Sequence, residues 1–335
     1  MKLRKSRLIL DGHNLVFFSA HNRSAFSWKD AAALCLNRVS LAIAALRPSR
    51  VAICWDSGRE PWRRALIPEY KESRKTRQKQ SGGDALYRKW VRDAATFLET
   101  YVWRLGIDSY KCLAGPGEAD DIMYVLSREE AGSYSSSIIV TSDTDLYQAV
   151  TPRFDGDDPD HGVYVISPRD IRQSVDQVLA GMIDGKAVYE KVGVWPGQYV
   201  WYKAMVGDTA DDIAGVEGIG QKTAKELLAT YGGMKGVLAN IAKVPKSHKR
   251  AQHLATQHGL NLVKRNFRMI SLFPPTTDPT CVPGNLQGGI RGEEDLGRAL
   301  DVLDKEGVRL PVCSKDEWLE PFRELAERRC KDGIQ

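Results

Sequence analysis

The sequence contains no run of eighteen apolar residues, so it offers no candidate for a membrane-spanning helix. The basic N-terminal segment holds an apolar run of only three residues, Leu8–Leu10, which is too short for a signal peptide. The six cysteines are scattered and include no CxxC pair, which argues against a zinc site or a disulfide framework. These absences predict a cytoplasmic protein with reduced thiols and no membrane partner.

Acidic residues are missing from one long stretch and concentrated in another. Residues 227–277 contain no Asp or Glu but hold eight Lys or Arg, whereas residues 114–160 carry eleven acids against two bases. Residues 71–80 add five bases against one acid. Solvated faces explain most charge runs, but ordinary surfaces mix both signs, so an acid-free run of 51 residues is unusual. An acidic centre between basic surfaces is typical of a metal-dependent nuclease, because carboxylates bind cations and cations bind phosphates.

Short apolar runs alternate with segments of helical spacing in the first half of the chain. Strands are predicted at Leu8–Leu10, Val51–Trp55, Ser109–Leu113, Ile138–Val140 and Val163–Ile166. This alternation predicts an α/β fold with a parallel sheet, whose ligands bind outside the carboxyl ends of the strands. Asp11, Asp56 and Asp143 each follow the end of a predicted strand, so we expect them to share one site.

The pattern becomes wholly helical from about residue 196. Three helices are predicted in the first half, at 12–47, at 85–105 and from Glu118 onward. In the second half, helices are predicted at Pro196–Val206, Gly220–Tyr231, 234–242, 247–257, 293–305 and 315–330. The Pro- and Gly-rich residues 274–289 are interpreted as a linker. We therefore predict an α/β domain at 1–195, a helical region at 196–273, and a linker with a C-terminal helical extension at 274–335.

Nine carboxylates are candidates for metal binding. They are Asp11, Asp56, Glu118, Asp120, Asp121, Asp143, Asp145, Asp208 and Asp211. So many carboxylates at one site repel one another, and we expect that only bound cations relieve the repulsion. All-oxygen ligands favour Mg²⁺ or Mn²⁺ over zinc, and two such ions can support phosphodiester hydrolysis. The alternative is that single acids, such as Glu118 and Asp208, only cap helix N-termini.

Five segments between residues 8 and 232 carry a specific combination of motifs. They are ILDGHNLVFFSAH (9–21), WDSGREPWRRALIPEYKESR (55–74), GPGEADDIMYVL (115–126), VTSDTDLYQAV (140–150) and VGDTADDIAGVEGIGQKTAKELLATYG (206–232). They resemble the flap-endonuclease and 5′-exonuclease family, which includes phage-type enzymes and the 5′-nuclease domain of bacterial DNA polymerase I. The resemblance implies a PIN-like 5′-nuclease fold with a twisted, mostly parallel central sheet, a helical arch within 71–92, and a helix-three-turn-helix element. It also implies that the nine carboxylates hold two or more metal ions.

The same resemblance assigns residues to the reaction and to DNA. Tyr70, Lys71 and Arg74 form the Tyr-Lys-x-x-Arg motif that the family uses beside the scissile phosphate, and Lys71 and Arg74 would share one face of a helix. The residues expected to contact duplex DNA in the helix-three-turn-helix element are Gly218, Gly220, Lys222, Thr223 and Lys225. Backbone N–H groups at a helix N-terminus bind phosphate without reading sequence. The family also implies a monovalent cation at this element.

The glycine-rich segment at 215–223 nearly matches a phosphate-binding P-loop, which would favour an ATPase. A P-loop needs Lys directly after its second Gly, but here Gln221 separates Gly220 from Lys222. No strand is predicted before the segment either. A glycine-rich hairpin between two helices is the better interpretation.

The sequence therefore predicts a structure-specific 5′-nuclease, a 5′-3′ exonuclease and flap endonuclease that hydrolyses DNA near 5′ ends, flaps or nicks by a two-metal-ion mechanism. Two alternatives stay open. One is a nuclease of the same fold that acts mainly on RNA or RNA–DNA hybrids. The other is a protein that binds DNA structures without cutting them. Such a protein is expected to lack some of the metal-binding carboxylates, and here all nine are present. We expect a monomer that works in DNA replication and repair beside a separate replicative polymerase, in the cytoplasm of a bacterium or a phage-infected host.

Overall fold

The computed structural model describes residues 5–58, 61–73, 85–112, 117–128, 136–151, 162–171, 174–272, 283–287, 293–312 and 314–331. The strands are β1 (Ser6–Asp11), β2 (Arg50–Trp55), β3 (Asp108–Cys112), β4 (Ser136–Val140), β5 (Gly162–Ile166), β6 (Gly207–Asp208), β7 (Ile213–Ala214) and β8 (Pro283–Gln287). The α-helices are α1 (Gly12–Ala20), α2 (Trp28–Leu46), α3 (Pro61–Leu66), α4 (Ala85–Tyr101), α5 (Ala119–Arg128), α6 (Val175–Ala180), α7 (Gly185–Val192), α8 (Pro196–Val206), α9 (Gln221–Thr230), α10 (Met234–Ala239), α11 (Val244–Ser247), α12 (Gln257–Ile270), α13 (Glu293–Glu306) and α14 (Lys315–Lys331). In these ranges, no helix combines the length and apolar character that a membrane span requires.

The predicted α/β fold with a mostly parallel central sheet is confirmed. Among the described residues, six strands form this sheet in the order β5-β4-β1-β2-β3-β8. The first five strands are parallel to their neighbours, and β8 runs antiparallel to β3 at the edge. Since β1, β2 and β4 are adjacent and parallel, their carboxyl ends lie side by side at one edge of the sheet. That edge is where the predicted strand-end acids emerge.

Both faces of the sheet are buried, which explains the continuous apolar runs of its strands. In β1, Leu8 and Leu10 belong to a core that also contains residues of α1 and α2. Ile9, between them, points to the other face and belongs to a second core built with α5 and the helices from α7 to α12. The sheet therefore connects the N-terminal helices to the helical second half of the chain.

The prediction of one helix from Gly12 to about residue 47 is wrong. Helix α1 ends at Ala20, and α2 begins at Trp28. Polar residues occupy most of the connection, and the Ser27 side chain caps α2 by accepting a hydrogen bond from the backbone N–H of Asp30 at 3.2 Å. Apolar residues recur at helical spacing on both sides of this break, so the sequence pattern indicated one continuous helix.

Two other predictions fail in the second half of the chain. The residues interpreted as a linker at 274–289 include β8, while residues 273–282 and 288–292 lie outside the described part. The helix predicted at 247–257 is a 3₁₀ helix over Lys249–Ala255, followed by a separate α-helix, α12, that sequence reasoning missed. Thr256 separates the two because its side chain caps α12 at the N–H of Gly259.

The two helices predicted in the tail are confirmed as α13 and α14, and they belong to the main core. Trp318, Phe322 and Leu325 of α14 are buried in the same cluster as Leu8 of β1. The Arg329 guanidinium, also buried, donates to the Gly106 carbonyl at 2.7 Å and lies 3.5 Å from the Asp108 carboxylate beside β3. The tail therefore packs as an integral part of the α/β fold.

Candidate active site

The carboxyl edge of the sheet gathers acidic side chains from separate elements. The Asp11 carboxylate accepts hydrogen bonds from the Asn14 backbone N–H at 3.0 Å and from the Thr141 hydroxyl at 2.7 Å. Asp56 accepts from the backbone N–H of Ala119, the first residue of α5, at 2.8 Å. Asp143 accepts from the N–H of Asp145 at 2.8 Å and caps a 3₁₀ helix. The sequence presented helix capping and membership of a shared acidic site as alternatives. Asp11 and Asp143 do both, since each caps a helix and each lines the same cavity.

Two adjoining cavities collect eight of the nine predicted ligands. The larger one, which we name the acidic cavity, has a volume of about 510 Å³ and is lined by Asp11, Asp56, Lys71, Glu118, Asp120 and Asp143 among others. The smaller one, the inner cavity, has a volume of about 20 Å³ and adds Asp145, Asp208 and Asp211 to its walls. Lys71, Glu118, Asp120 and Asp143 border both cavities. The arrangement forms one continuous acidic surface with two compartments.

The inner cavity offers a compact set of oxygen ligands. Asp145, Asp208 and Asp211 each have a carboxylate oxygen within 4.8 Å of the others. The ammonium group of Lys203, on α8, lies 2.8 Å from Asp145 and 2.6 Å from Asp208 and so joins these two acids. A cavity of about 20 Å³ has room for one water-sized occupant. The donor set, all oxygen, fits Mg²⁺ or Mn²⁺.

Arginine and lysine side chains neutralise part of this acidic surface, so the prediction that only bound cations relieve the repulsion is wrong. Arg63, buried on α3, binds Asp121 through both terminal nitrogens at 2.6 and 2.7 Å and lies 3.2 Å from Glu118. Lys71 lies 2.8 Å from Glu118, which also accepts a hydrogen bond from the Tyr70 hydroxyl at 3.1 Å. Asp121 lines neither cavity. The structure thus places Asp121 against Arg63, behind the site.

Charge crowding divides the acids into two groups. Burial, and then the neighbouring Asp56, raise the pKa of Asp11 to about 7. Burial, followed by Asp143, raises the pKa of Asp120 well above its ordinary value. Burial would also raise the pKa of Glu118, but the Lys71 and Arg63 cations outweigh it and lower that pKa. The acidic cavity therefore keeps an excess of negative charge around Asp11 and Asp120 that bound divalent cations would neutralise.

The structure places Tyr70 and Lys71 at this surface, whereas Arg74 lies outside the described residues. Tyr70 is buried, and the Lys71 ammonium lies 4.8 Å from the centre of its ring. Lys71 has a φ of 58°, in the left-handed region, and so lies outside any right-handed helix. The prediction of a shared face depended on this segment being helical, and in this structure that condition is not met at Lys71. Half of the predicted arch, residues 74–84, also lies outside the described part.

The predicted helix-three-turn-helix element corresponds to α8, the short β6–β7 pair, a glycine-rich turn and α9. Gly218 has a φ of 77°, and an added Cβ would lie 2.0 Å from the Arg250 carbonyl oxygen, so the turn requires glycine there. Gly220 caps α9, and Thr223 and Lys225 follow on that helix. The expectation that no strand precedes this turn is wrong, since β7 does. It has two residues and pairs antiparallel with β6, unlike the buried parallel strand of a P-loop.

Lys222 is well placed to test the duplex contact. Its side chain is 91% exposed, and its ammonium group lies 3.9 Å from the Glu226 carboxylate on the same helix. Lys222→Ala should weaken duplex binding similarly for all sequences and lower the slope of log affinity against log salt by roughly one. Fluorescence anisotropy over a salt series measures both, with exposed Lys305→Ala on α13 as the matched control. A sequence-dependent loss, or equal effects of the two variants, would contradict a phosphate contact.

Several residues of the site were not identified from the sequence pattern. His13 and Asn14 line the acidic cavity directly after Asp11, and the exposed Phe17 ring borders it one turn later. Arg63 and Lys203 were missed because a single basic residue has no periodic signal. Their only sequence signals were the Arg63–Arg64 pair in the short helix α3 and Lys203 five residues before Asp208.

Family comparisons agree with this geometry. A profile of the N-terminal resolvase-like domain of 5′-3′ exonucleases matches residues 6–193, and a profile of their C-terminal SAM fold matches residues 194–272. The chain belongs to the 5′-3′ exonuclease family. The two profiles meet between residues 193 and 194 and together cover every predicted site residue.

Individual relatives place the chain within this family. It is 30% identical over 251 residues to DNA polymerase I of Mycobacterium tuberculosis, a match that covers 72% of this chain but 25% of the polymerase. The chain thus spans about a quarter of the length of that relative. Flap endonuclease Xni of Shewanella baltica is 29% identical over 289 residues, which cover 81% of this chain and 97% of Xni.

A solved structure shows the same fold. The D15 flap endonuclease of bacteriophage T5, crystallised with DNA and metal ions, aligns with a TM-score of 0.64 and 21% identity, covering 96% of this chain and 99% of that one. The alignment includes the tail, which the family profiles leave out. The predicted 5′-nuclease fold is therefore confirmed.

Proposed function

We propose that the chain is a structure-specific 5′-nuclease that hydrolyses DNA phosphodiester bonds as a 5′-3′ exonuclease and flap endonuclease. The observation that carries this proposal is the pair of adjoining acidic cavities at the carboxyl edge of the sheet. Eight carboxylates line them, and their uncompensated charge calls for divalent cations. Membership of the 5′-3′ exonuclease family supports the same reaction.

The two cavities suggest how the carboxylates would be divided between two Mg²⁺ or Mn²⁺ ions. Asp11, Asp56, Asp120 and Asp143 would serve the acidic cavity, and Asp145, Asp208 and Asp211 the inner one. When bound, such ions supply Lewis acidity and lower the pKa of a coordinated water. We assign Asp121 a positioning role through Arg63 in place of the predicted ligand role. The monovalent cation at the helix-three-turn-helix element stays a prediction.

The basic side chains of the site would act on the phosphate. Lys71 borders both cavities; burial lowers its pKa, but Glu118 and Asp211 together raise that pKa by more, so the ammonium stays charged at neutral pH. It can therefore stabilise the negative charge that builds on the phosphate oxygens when water attacks phosphorus. Arg63 and Tyr70 hold Glu118 in place beneath Lys71. Arg74 is proposed to assist from the same motif.

The second half of the chain is proposed to hold the duplex. Lys222 and Lys225 on α9, with the acid-free run that follows, would track phosphates without reading sequence. We keep the domain division at 195/196 as a proposal, and the packing of α13 and α14 leads us to assign the tail to the nuclease domain. A monomer acting in the cytoplasm beside a separate polymerase completes the proposal, with RNA–DNA hybrids as possible further substrates.

The proposal is tested with 5′-labelled nicked, flapped and single-stranded DNA and an RNA–DNA hybrid. We expect Mg²⁺ or Mn²⁺ to support cleavage of the nicked and flapped DNA, and EDTA to abolish it, because the carboxylates act through bound cations. Product size on a sequencing gel reports which bond is cut. Undiminished cleavage in EDTA would exclude the two-ion mechanism. Binding without cleavage in either metal would favour the non-catalytic alternative.

A further inference from the structure

A third cavity lies beside the acidic cavity and has a different electrostatic character. It has a volume of about 420 Å³, within the range of about 300–1,000 Å³ typical of small-ligand sites. We name it the annex cavity; its polar and aromatic lining includes His13, Phe17, Arg88, Arg92, Glu99 and Lys111. Four residues line both the annex and the acidic cavity, namely His13, Phe17, Asp56 and Val91. The two cavities therefore adjoin, and a chain of nucleotides could occupy both.

The annex cavity carries an excess of positive charge. Arg88 and Arg92 lie four residues apart on α4 and face the cavity together, and Lys111 on β3 adds a third cation. Glu99 neutralises Lys111, since its carboxylate lies 2.8 Å from the ammonium group. Asp56 also lines the annex cavity, on the side shared with the acidic cavity, so the two arginines leave the lining with a net charge of one positive unit, three cations against two carboxylates.

One nitrogen of the Arg88 guanidinium group lacks a hydrogen-bond acceptor among the described residues. Its Nη1 atom is buried, and no side chain or backbone group in the described part of the chain accepts a hydrogen bond from it. A buried donor without an acceptor costs about 1–3 kcal/mol, and more when the group is charged. A rotation of the Arg88 side chain that turns this nitrogen toward the annex cavity would let an anionic ligand there supply the missing acceptor, and a phosphate fits the fork of a guanidinium group.

We propose that the annex cavity binds the 5′-terminal nucleotide of the substrate, with its terminal phosphate on Arg88 and Arg92. This inference rests on the proposed function and specifies which 5′ ends the site prefers. The next phosphodiester would then lie in the acidic cavity, so hydrolysis there releases the terminal nucleotide. The Phe17 ring, 53% exposed between the two cavities, offers a surface for the base.

The terminal phosphate differs in charge from the phosphates inside a strand. A phosphate monoester carries about −1.5 to −2 charges at neutral pH, whereas an internal diester carries one. Two arginines therefore favour a terminal phosphate over an internal one and over a 5′-hydroxyl. The annex cavity is in this way a recognition site for phosphorylated ends, and it favours exonuclease cleavage at nicks.

A double-mutant cycle tests the contact. Single-turnover release of the terminal nucleotide is measured on nicked duplexes that end in a 5′-phosphate or a 5′-hydroxyl, with the unmodified chain, Arg88→Ala and Lys89→Ala. Lys89 is the matched control because it is a cation on the same helix that does not line the cavity. The 5′-hydroxyl substrate is the internal control for folding, since it lacks the phosphate that Arg88 would bind.

We expect the unmodified chain to prefer the 5′-phosphate by about tenfold or more, the lower range for a charge-assisted hydrogen bond. Arg88→Ala should reduce this preference to about twofold or less without slowing the 5′-hydroxyl substrate, and Lys89→Ala should keep it. An equal preference in Arg88→Ala and the unmodified chain would overturn the inference, as would equal slowing of both substrates. If the unmodified chain cuts no substrate with metal present, the proposed function fails instead.

Discussion

Asp120→Asn should leave a chain that binds nicked DNA but cleaves it at least about a thousandfold more slowly, which corresponds to about 4 kcal/mol of transition-state stabilisation. Asp120 borders both cavities, so the substitution removes a ligand that either ion could use. DNA affinity should be kept or increased, because a negative charge near the phosphates disappears. Single-turnover cleavage and anisotropy binding separate the two effects.

The same variant should be more stable than the unmodified chain in EDTA. Burial, and then Asp143, raise the pKa of Asp120 in the folded chain, so ionised Asp120 destabilises the fold increasingly as pH rises above its unfolded pKa. Asparagine removes this penalty, and the gain in Tm should be larger at pH 8 than at pH 5. Exposed Asp301→Asn on α13 should change neither Tm nor rate. A normal cleavage rate in Asp120→Asn would exclude Asp120 as a metal ligand.

Lys71→Ala should reduce single-turnover cleavage by at least about a hundredfold, some 2.7 kcal/mol, while substrate affinity changes by less than about tenfold. Its ammonium group borders both cavities, where negative charge increases as the phosphate reacts. Stabilisation that acts mainly in the transition state lowers the rate more than the affinity. The fold should persist, because Glu118 keeps its contacts with Arg63 and Tyr70.

Two controls separate this role from general attraction and from a purely structural one. Lys89→Ala removes an exposed cation from α4 and should have little effect at any salt concentration. Lys71→Arg keeps a cation at this position and should lose less of the cleavage rate than Lys71→Ala, which separates the loss of the charge from the loss of the side chain's packing. If Lys71→Ala and Lys89→Ala cost the same modest amount, and high salt erases both, Lys71 has no role in the reaction.

The strand-end acids were predictable because the sequence encodes them locally. An apolar run followed by Asp marks the carboxyl end of a buried parallel strand, and parallel strands end at the same edge. Asp11 and Asp56 therefore come together without any knowledge of loop geometry. The same reasoning correctly gave α8, α9 and the two tail helices, whose apolar spacing is regular.

The remaining features depend on contacts between distant residues. Arg63 meets Asp121 across 58 positions, and no local pattern links a basic residue to one particular acid that far away. The β8 strand is short and lies in a Pro- and Gly-rich segment, and its pairing partner β3 is about 170 positions earlier. The break between α1 and α2 was missed because apolar residues continue at helical intervals on both sides.

The position of α14 has a consequence for how the chain folds as it is synthesised. Trp318 and Phe322 belong to the same core as Leu8, and the Arg328 guanidinium donates a hydrogen bond to the Pro48 carbonyl, so native contacts join positions 280 residues apart. Contacts of such long range form late, because closing the intervening loop costs entropy before any contact compensates for it. The core between the sheet and α2 is therefore complete only after residues 315–331 have left the ribosome. Until then the growing chain exposes the apolar surface of α2 that α14 later covers, and a chaperone could bind this surface.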